Sequence, residues 1–391
     1  MSSLIDNFKL PWSLSVLEST SALTTTGLSS FKTIGRMPPS LLIWRMLLQW
    51  LGGLGITIMA LTLFPFLKVG GMQLFSTESS SHYDKILPKV SQIAKFLFSF
   101  YTFLTLSCLC LLWLAGMTPL KAFCYSVSAV STSGMSMVDH TINYLDSPFI
   151  PWILMFYMLI SASPLLLFVG ISSGNLRPYF HDTQVRAYLK TAAIICAVVT
   201  GLMWWRYDDL SFFDLKRTLF QTLSMLTTAG FYADGVNPWP SSVEFLFVML
   251  ALIGGCTGST AGGVKIFRFQ VLFRAVRAQT HRMIMPHGVF TPVYNKRIIH
   301  SSVIYAVLTL LILFFLHICV LIFILLQSNL AMGDSLELSV NILSNCGAHF
   351  FPLDIPRLPH HLHWVLSFGM LLGRLEFLTI WILFIPFFWR R

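Results

Sequence analysis

Seven apolar runs, at 41–67, 93–117, 148–172, 187–205, 243–275, 298–326 and 362–389, decide what this chain can become. Each approaches or exceeds the roughly 20 helical residues that cross about 30 Å of hydrocarbon. The chain is 55% hydrophobic and 11% charged, with a mean hydropathy of +0.72, more apolar surface than a soluble domain of this size could bury. The expected class is therefore an all-α polytopic membrane protein, because backbone polar groups in lipid must be satisfied internally. The first residues are polar and the first long apolar run follows a Ser/Thr cluster, so no cleavable leader is expected.

Charge sets the orientation. The formal net charge of +10 could suggest nucleic acid, but its distribution speaks for topology instead. From Val264 to His300 the chain carries Lys265, Arg268, Arg274, Arg277, Arg282, Lys296 and Arg297 without one Asp or Glu, as a cytoplasmic loop should. Lys85, Lys89, Lys95, Arg177, Arg186, Lys190, Arg390 and Arg391 mark the same side. The alternate connections hold Asp139, Asp146, Asp208, Asp209, Asp214, Asp234, Asp334, Glu337 and Asp354, an external face that attracts cations. Seven cysteines (Cys108, Cys110, Cys124, Cys196, Cys256, Cys319 and Cys346) lack CxxC spacing and read as free thiols.

Four short segments align without gaps: STSALTTTG (19–27), SVSAVSTSG (126–134), TLSMLTTAG (222–230) and SVNILSNCG (339–347). Counted back from the final glycine, positions −8 and −6 are small and polar in every copy. Position −4 is aliphatic (Leu23, Val130, Leu226, Leu343) and position −3 hydroxylated (Thr24, Ser131, Thr227, Ser344). Small or helix-breaking residues follow each glycine at similar distance: Gly52-Gly53, Ser161 to Pro164, Gly254-Gly255 and Gly373. A spanning run also precedes the second, third and fourth copies. The repeated unit is helix, short segment, helix, with boundaries expected at 1–67, 68–172, 173–285 and 286–391, the first lacking its leading helix.

Each short segment offers about 12 helical residues, too few to span a bilayer at 1.5 Å per residue. It must enter and return, and non-helical backbone at that depth survives only beside protein or a water-filled cavity. Four such loops imply a fourfold pseudo-repeat around a central pore. Backbone carbonyls just before each glycine, in a conformation that glycine adopts readily, are the candidate ligands for a dehydrated cation. Half-helices with their C-terminal ends inward would add partial negative charge.

A second element, LIGGCTGSTAGGVKIFR (252–268), interrupts a spanning helix with Gly254, Gly255, Gly258, Gly262 and Gly263. At roughly 1 kcal/mol per glycine relative to alanine, a regular helix there is costly, and an intramembrane loop is expected. The segment lacks the strand context and the GK[ST] ending of a nucleotide-binding loop. In LLGRLEFL (371–378), Arg374 is expected to face the pore; Glu376 cannot pair with it two residues away and is left to meet Lys265 or another cation across the bundle. Arg45 reads as a snorkelling helix-end residue. His360, His361 and His363 read as an interfacial anchor rather than a metal site. No Ser/His/Asp spacing suggests an enzyme.

These motifs resemble the TrkH branch of the Trk/Ktr/HKT potassium transporters across essentially the whole chain, most specifically at LLQWLGGLG (47–55), GGMQLF (70–75), GGCTGSTAGGVK (254–265) and LLGRLE (371–376). The resemblance implies four repeats around one pathway, with potassium held by the backbones of Thr25, Thr26, Gly27, Thr132, Ser133, Gly134, Thr228, Ala229, Gly230, Asn345, Cys346 and Gly347. It implies a gating loop at Cys256, Thr257, Gly258, Ser259, Thr260, Ala261, Gly262 and Gly263, with Arg374 as the pore arginine. It further implies K+ as the transported ion, no prosthetic group, a homodimer in the bacterial inner membrane, and a cytosolic TrkA-type subunit through which alone nucleotide would act. The basic 264–300 segment is the expected docking surface for that subunit. The sequence begins just before the first half-helix, so the helices that precede it in the family are expected to be lost through a late start or degradation of the gene. Gated potassium conduction is the leading expectation; sodium- or proton-coupled symport and a non-conducting scaffold are the alternatives.

Overall fold

The computed structural model describes residues 11–31, 37–62, 90–135, 147–172, 177–207, 212–232, 239–295, 297–347, 355–375, 377, 380 and 381. Its elements follow the sequence pattern. In chain order they are α1 (Trp12–Leu23), α2 (Pro39–Thr62), α3 (Val90–Leu114), α4 (Pro119–Val130), α5 (Ile150–Ser161), α6 (Val169–Ser172), α7 (Arg177–His181), α8 (Thr183–Arg206), α9 (Phe212–Leu226), α10 (Ser241–Ile253) and α11 (Ile266–Ile284). A short antiparallel hairpin, β1 (Val293–Tyr294) and β2 (Arg297–Ile298), leads to α12 (Ser301–Leu326), α13 (Met332–Ser344) and α14 (His360–Arg374).

Helices α2, α3, α8 and α12 are long and apolar enough to cross a membrane. Helices α1, α4, α9 and α13, with 12, 12, 15 and 13 residues, are too short to span and end at the four aligned glycine segments. The apolar run at 148–172 is broken where SASP begins: α5 ends at Ser161 and a 3-10 turn resumes at Leu165 after Pro164. The run at 243–275 is broken between α10, which ends against Gly254 at φ 70°, and α11, which begins after Lys265 at φ 78°.

Packing turns this repetition into a ring. Each half-helix lies against the spanning element that follows it and against the one that follows the preceding copy: α4 on α2, α9 on α5, α13 on α10, and α1 on α14. The last pair closes the circle between the two ends of the chain. Glycines sit where helices touch: a Cβ at Gly52 in α2 would overlap the carbonyl of Leu23, and one at Gly373 in α14 would overlap that of Leu343. Leu23 and Leu343 are the same repeat position, −4, so the downstream glycines legible in the sequence admit the half-helix ends.

Candidate functional site

All four half-helices terminate in one hydrogen-bonded form. The N–H at position −1 donates to the carbonyl at −6: Thr26 to Ser21 (2.9 Å), Ser133 to Ser128 (3.0 Å), Ala229 to Ser224 (2.9 Å) and Cys346 to Asn341 (2.8 Å). The N–H at −2 donates to the carbonyl at −5: Thr25 to Ala22 (3.1 Å), Thr132 to Ala129 (3.3 Å), Thr228 to Met225 (3.1 Å) and Asn345 to Ile342 (3.3 Å). This pair of bonds defines a Schellman cap, which requires a left-handed residue at −2. Thr25, Thr132, Thr228 and Asn345 take that conformation, with φ between 52 and 53°. A β-branched residue there costs about 1–2 kcal/mol. The fourth copy uses Asn, which visits this region more readily, so its departure from TTTG preserves the turn.

The glycines then interlock. A Cβ on Gly27 would overlap the carbonyl of Ser133, one on Gly134 the carbonyl of Ala229, and one on Gly347 the carbonyl of Thr26. Loop 1 thus abuts loop 2, loop 2 abuts loop 3, and loop 4 abuts loop 1, always through the glycine of one copy and the −1 carbonyl of the next. The Schellman bonds occupy the carbonyls at −5 and −6, while the −1 carbonyls of Thr26, Ser133 and Ala229 meet the neighbouring loops. Carbonyl oxygens from four segments meeting at one place can replace the water shell of a monovalent cation. The C-terminal ends of four helices add partial negative charge to the same place.

The loop between α10 and α11 packs directly against this ring. Gly262 N donates to Thr228 Oγ1 (2.7 Å), Gly263 N to the Ser344 carbonyl (3.0 Å), and Thr132 Oγ1 to Thr260 Oγ1 (3.3 Å). Thr260 Oγ1 also lies 3.2 Å from the carbonyl of Val130 and 3.1 Å from that of Ser161. Further bonds run from Cys256 N to Ala162 O (2.9 Å) and from Gln184 Nε2 to Thr257 O (3.4 Å). Ser259 Oγ closes onto Cys256 O (2.5 Å), and Gly258 O accepts from Leu165 N (3.1 Å). Its backbone at membrane depth is thereby satisfied by protein. Ala261, Gly262 and Gly263, with Asn345 and Arg374, line a cavity of about 20 Å³, room for little more than one water.

Arg374 is buried and donates from Nη1 to the Thr260 carbonyl (2.9 Å), while Nε and Nη2 have no partner among the described residues. A cation with spare donors therefore stands beside the loop. Lys265 is buried at the start of α11; Glu376, its expected partner, lies outside the described residues. Just before α8, Asp182 Oδ1 accepts from Gln184 N (2.8 Å) and Val185 N (2.9 Å). Burial pushes its carboxyl above the ordinary carboxylate value, opposed by those bonds and by Arg186.

Two expectations are corrected. Arg45 does not snorkel: it is 2% exposed and forms an ion pair of 2.6 Å with Glu18 of the first half-helix. Glu18 also accepts from Ser30 N (2.6 Å), which ties the chain beyond Gly27 back to α1. Burial of Arg45 is tolerated because its charge is paired there; left without Glu18 it would be an uncompensated buried charge. The histidine cluster is not a simple anchor either. His363 is buried, with Nδ1 3.0 Å from Ser13 Oγ and Nε2 3.2 Å from Ile355 O, while His360 and His361 remain exposed. The sequence reading also missed Gln49, which is buried behind loop 2 with Oε1 accepting from Ser133 Oγ and Nε2 donating to Met135 Sδ (2.9 Å). A lone Gln in an apolar helix was the available signal.

The profile of the TrkH family, described as cation transport proteins, matches residues 2–391. The Trk system potassium uptake protein TrkI of Halomonas elongata is 35% identical over 389 residues, covering 96% of this chain and 77% of that protein. The TrkH of Salmonella typhimurium is 32% identical over 381 residues, covering 96% and 79%. The crystal structure of the potassium transporter TrkH from Vibrio parahaemolyticus superposes with a TM-score of 0.88 at 32% identity, covering 98% of this chain and 80% of that one.

Proposed function

The chain belongs to the TrkH family of cation transport proteins, and on that footing we propose that it is the ion-conducting subunit of a bacterial Trk-type potassium-uptake system. It works as a multi-pass protein of the inner membrane and as a transporter rather than an enzyme. The carrying observation is the contact of three of the four loop glycines, Gly27, Gly134 and Gly347, with the next loop's −1 carbonyl. In this reading the backbones of Thr25 to Gly27, Thr132 to Gly134, Thr228 to Gly230 and Asn345 to Gly347 form the cage, and K+ exchanges water for carbonyl oxygen as it enters.

Cys256 to Gly263 are the gate in this reading. Their bonds to loops 2, 3 and 4 block the exit, and Arg374 both holds Thr260 and places a positive charge on the route. Opening requires the segment to leave these partners together. The glycines permit that, because few side chains have to be unpacked. A homodimer and a cytosolic TrkA-type subunit docked on the basic 264–300 segment complete the assembly, and any nucleotide acts through that subunit. The exposed apolar side chains Met283, Ile284, Met285 and Val289 in that segment support such a contact.

The test is uptake of radioactive Rb+ by proteoliposomes with sodium and proton gradients imposed separately. Conduction predicts Rb+ entry driven by membrane potential alone, abolished by Gly230→Arg at equal incorporation. Uptake strictly dependent on Na+ or H+ rejects passive conduction for symport, and no uptake despite correct insertion rejects transport.

A further inference from the structure

Position −1 carries a hydroxyl in loops 1 and 2 only, Thr26 and Ser133, and the two are held differently. In loop 1, Asn345 Nδ2 donates to Thr26 Oγ1 (3.0 Å) and also to the Met370 carbonyl (2.9 Å). Thr26 Oγ1 lies 2.8 Å from Thr24 Oγ1, which itself donates to the Thr20 carbonyl (2.7 Å). Since Thr24 has spent its proton on Thr20, the Thr26 hydroxyl donates to it, and one directed chain runs from Asn345 through Thr26 and Thr24 into α1. In loop 2 the chain runs the other way: Ser131 Oγ donates to Ser133 Oγ (3.1 Å), and Ser133 Oγ donates to Gln49 Oε1. Gln49 stands on α2, the spanning helix of the first copy, and Asn345 on loop 4. Each brace therefore comes from the preceding copy around the ring. Loop 3 has Ala229 at this position and no polar side-chain atom to hold.

We propose that Gln49 and Asn345 are positioning residues whose side-chain amides anchor Ser133 and Thr26 from behind, fix the spacing of the cage, and so set its preference for K+ over Na+. This rests on the loops being the cation filter, as argued above. The physical reason is size. A cage suited to K+ discriminates against the smaller ion only if its carbonyls resist closing inward. The carbonyls of Thr26 and Ser133 belong to the residues whose hydroxyls are anchored, and both touch the glycine of a neighbouring loop. An anchor on the −1 side chain thus resists displacement of two adjacent quadrants. Gln49 is the cleaner test, since Asn345 also supplies the left-handed turn at φ 52°.

The experiment measures the ratio of Rb+ to Na+ uptake in proteoliposomes of the full chain for Gln49→Leu, Gln49→Glu, Ser133→Ala, the Leu/Ala double variant and Gly134→Ala. Gln49→Leu and Ser133→Ala are each expected to lower the ratio about tenfold, the scale of one buried hydrogen bond. Gln49→Glu keeps an acceptor oxygen in place and retains the ratio, and the double variant falls no further than the larger of the two single effects, because both changes remove the bond between Ser133 and Gln49. A merely structural role would move total flux and thermal stability without this pattern. Should Gln49→Leu fail to insert, Ser133→Ala carries the test, as it removes one oxygen only. An unchanged ratio in Ser133→Ala, or independent effects of the two changes, overturns the proposal. If Gly134→Ala stops flux while the ratio survives in the other variants, this inference alone fails; if Gly134→Ala transports normally, the filter reading itself has failed.

Discussion

Gly134→Ala adds one methyl group, and the structure states what it must displace. Gly134 has φ +63°, where an L-residue costs about 1–2 kcal/mol. The added Cβ would overlap the Ala229 carbonyl and the carbonyl carbon of Gly230, both backbone atoms of loop 3. Neither can swing aside as a side chain would, so loops 2 and 3 have to part by about 1 Å or more to reach ordinary contact. A displacement of about 1 Å in a preorganised site costs about 100-fold in rate. Initial Rb+ uptake into proteoliposomes at matched incorporation is therefore expected to fall about 100-fold, with the helical content intact. Gly201→Ala is the control: Gly201 is inside α8 with no atom near enough to meet a Cβ, so transport is unchanged and stability rises by about 1 kcal/mol. Uptake by Gly134→Ala within a few-fold of the parent would refute the claim that these loops meet across the pathway.

Other outcomes follow from the same geometry. Glu18→Ala leaves Arg45 as an unpaired buried charge and is expected to destabilise the chain by about 3–5 kcal/mol, seen as a lower Tm in detergent, whereas Glu18→Gln with Arg45→Met together costs far less. Arg374→Gln loosens the tie to Thr260 and removes a cation from the exit, so basal Rb+ leak rises; unchanged leak would contradict its place in the gate. Asp182→Ala removes the cap of α8 and costs about 1 kcal/mol in thermal unfolding. Because burial raises the Asp182 carboxyl above its unfolded value, its contribution is fully present below the ordinary carboxylate range and is lost as pH rises through the folded value. Asp182→Asn is expected to flatten that slope.

Much of the fold was legible because it repeats. A half-helix that ends in a polar, glycine-closed turn leaves the same marks at −8, −6, −4 and −3, and the spacing to Gly52 and Gly373 reports where its end touches the next helix. The glycine cluster from 254 to 263 announced a break because no regular helix tolerates it cheaply. The Schellman turn was not legible: threonine has no preference for φ near 52°, and it is the capping bonds together with the contacts between loops that hold it there. Nor were the pairs that cross between copies. Gln49 with Ser133 and Asn345 with Thr26 join elements whose adjacency depends on the ring. An isolated polar residue in an apolar helix signals that a partner exists without naming it.

In the proposed pathway, main-chain oxygens of four loops surround one axis and take the place of water around K+. Anomalous scattering from crystals grown in Rb+ or Tl+ tests it most directly. Ion density is expected on that axis, flanked on all four sides by the carbonyls of Thr26, Ser133, Ala229 and Cys346, and lost on exchange into Na+. Ions bound elsewhere in the membrane region, with no density between those four carbonyls, would contradict it.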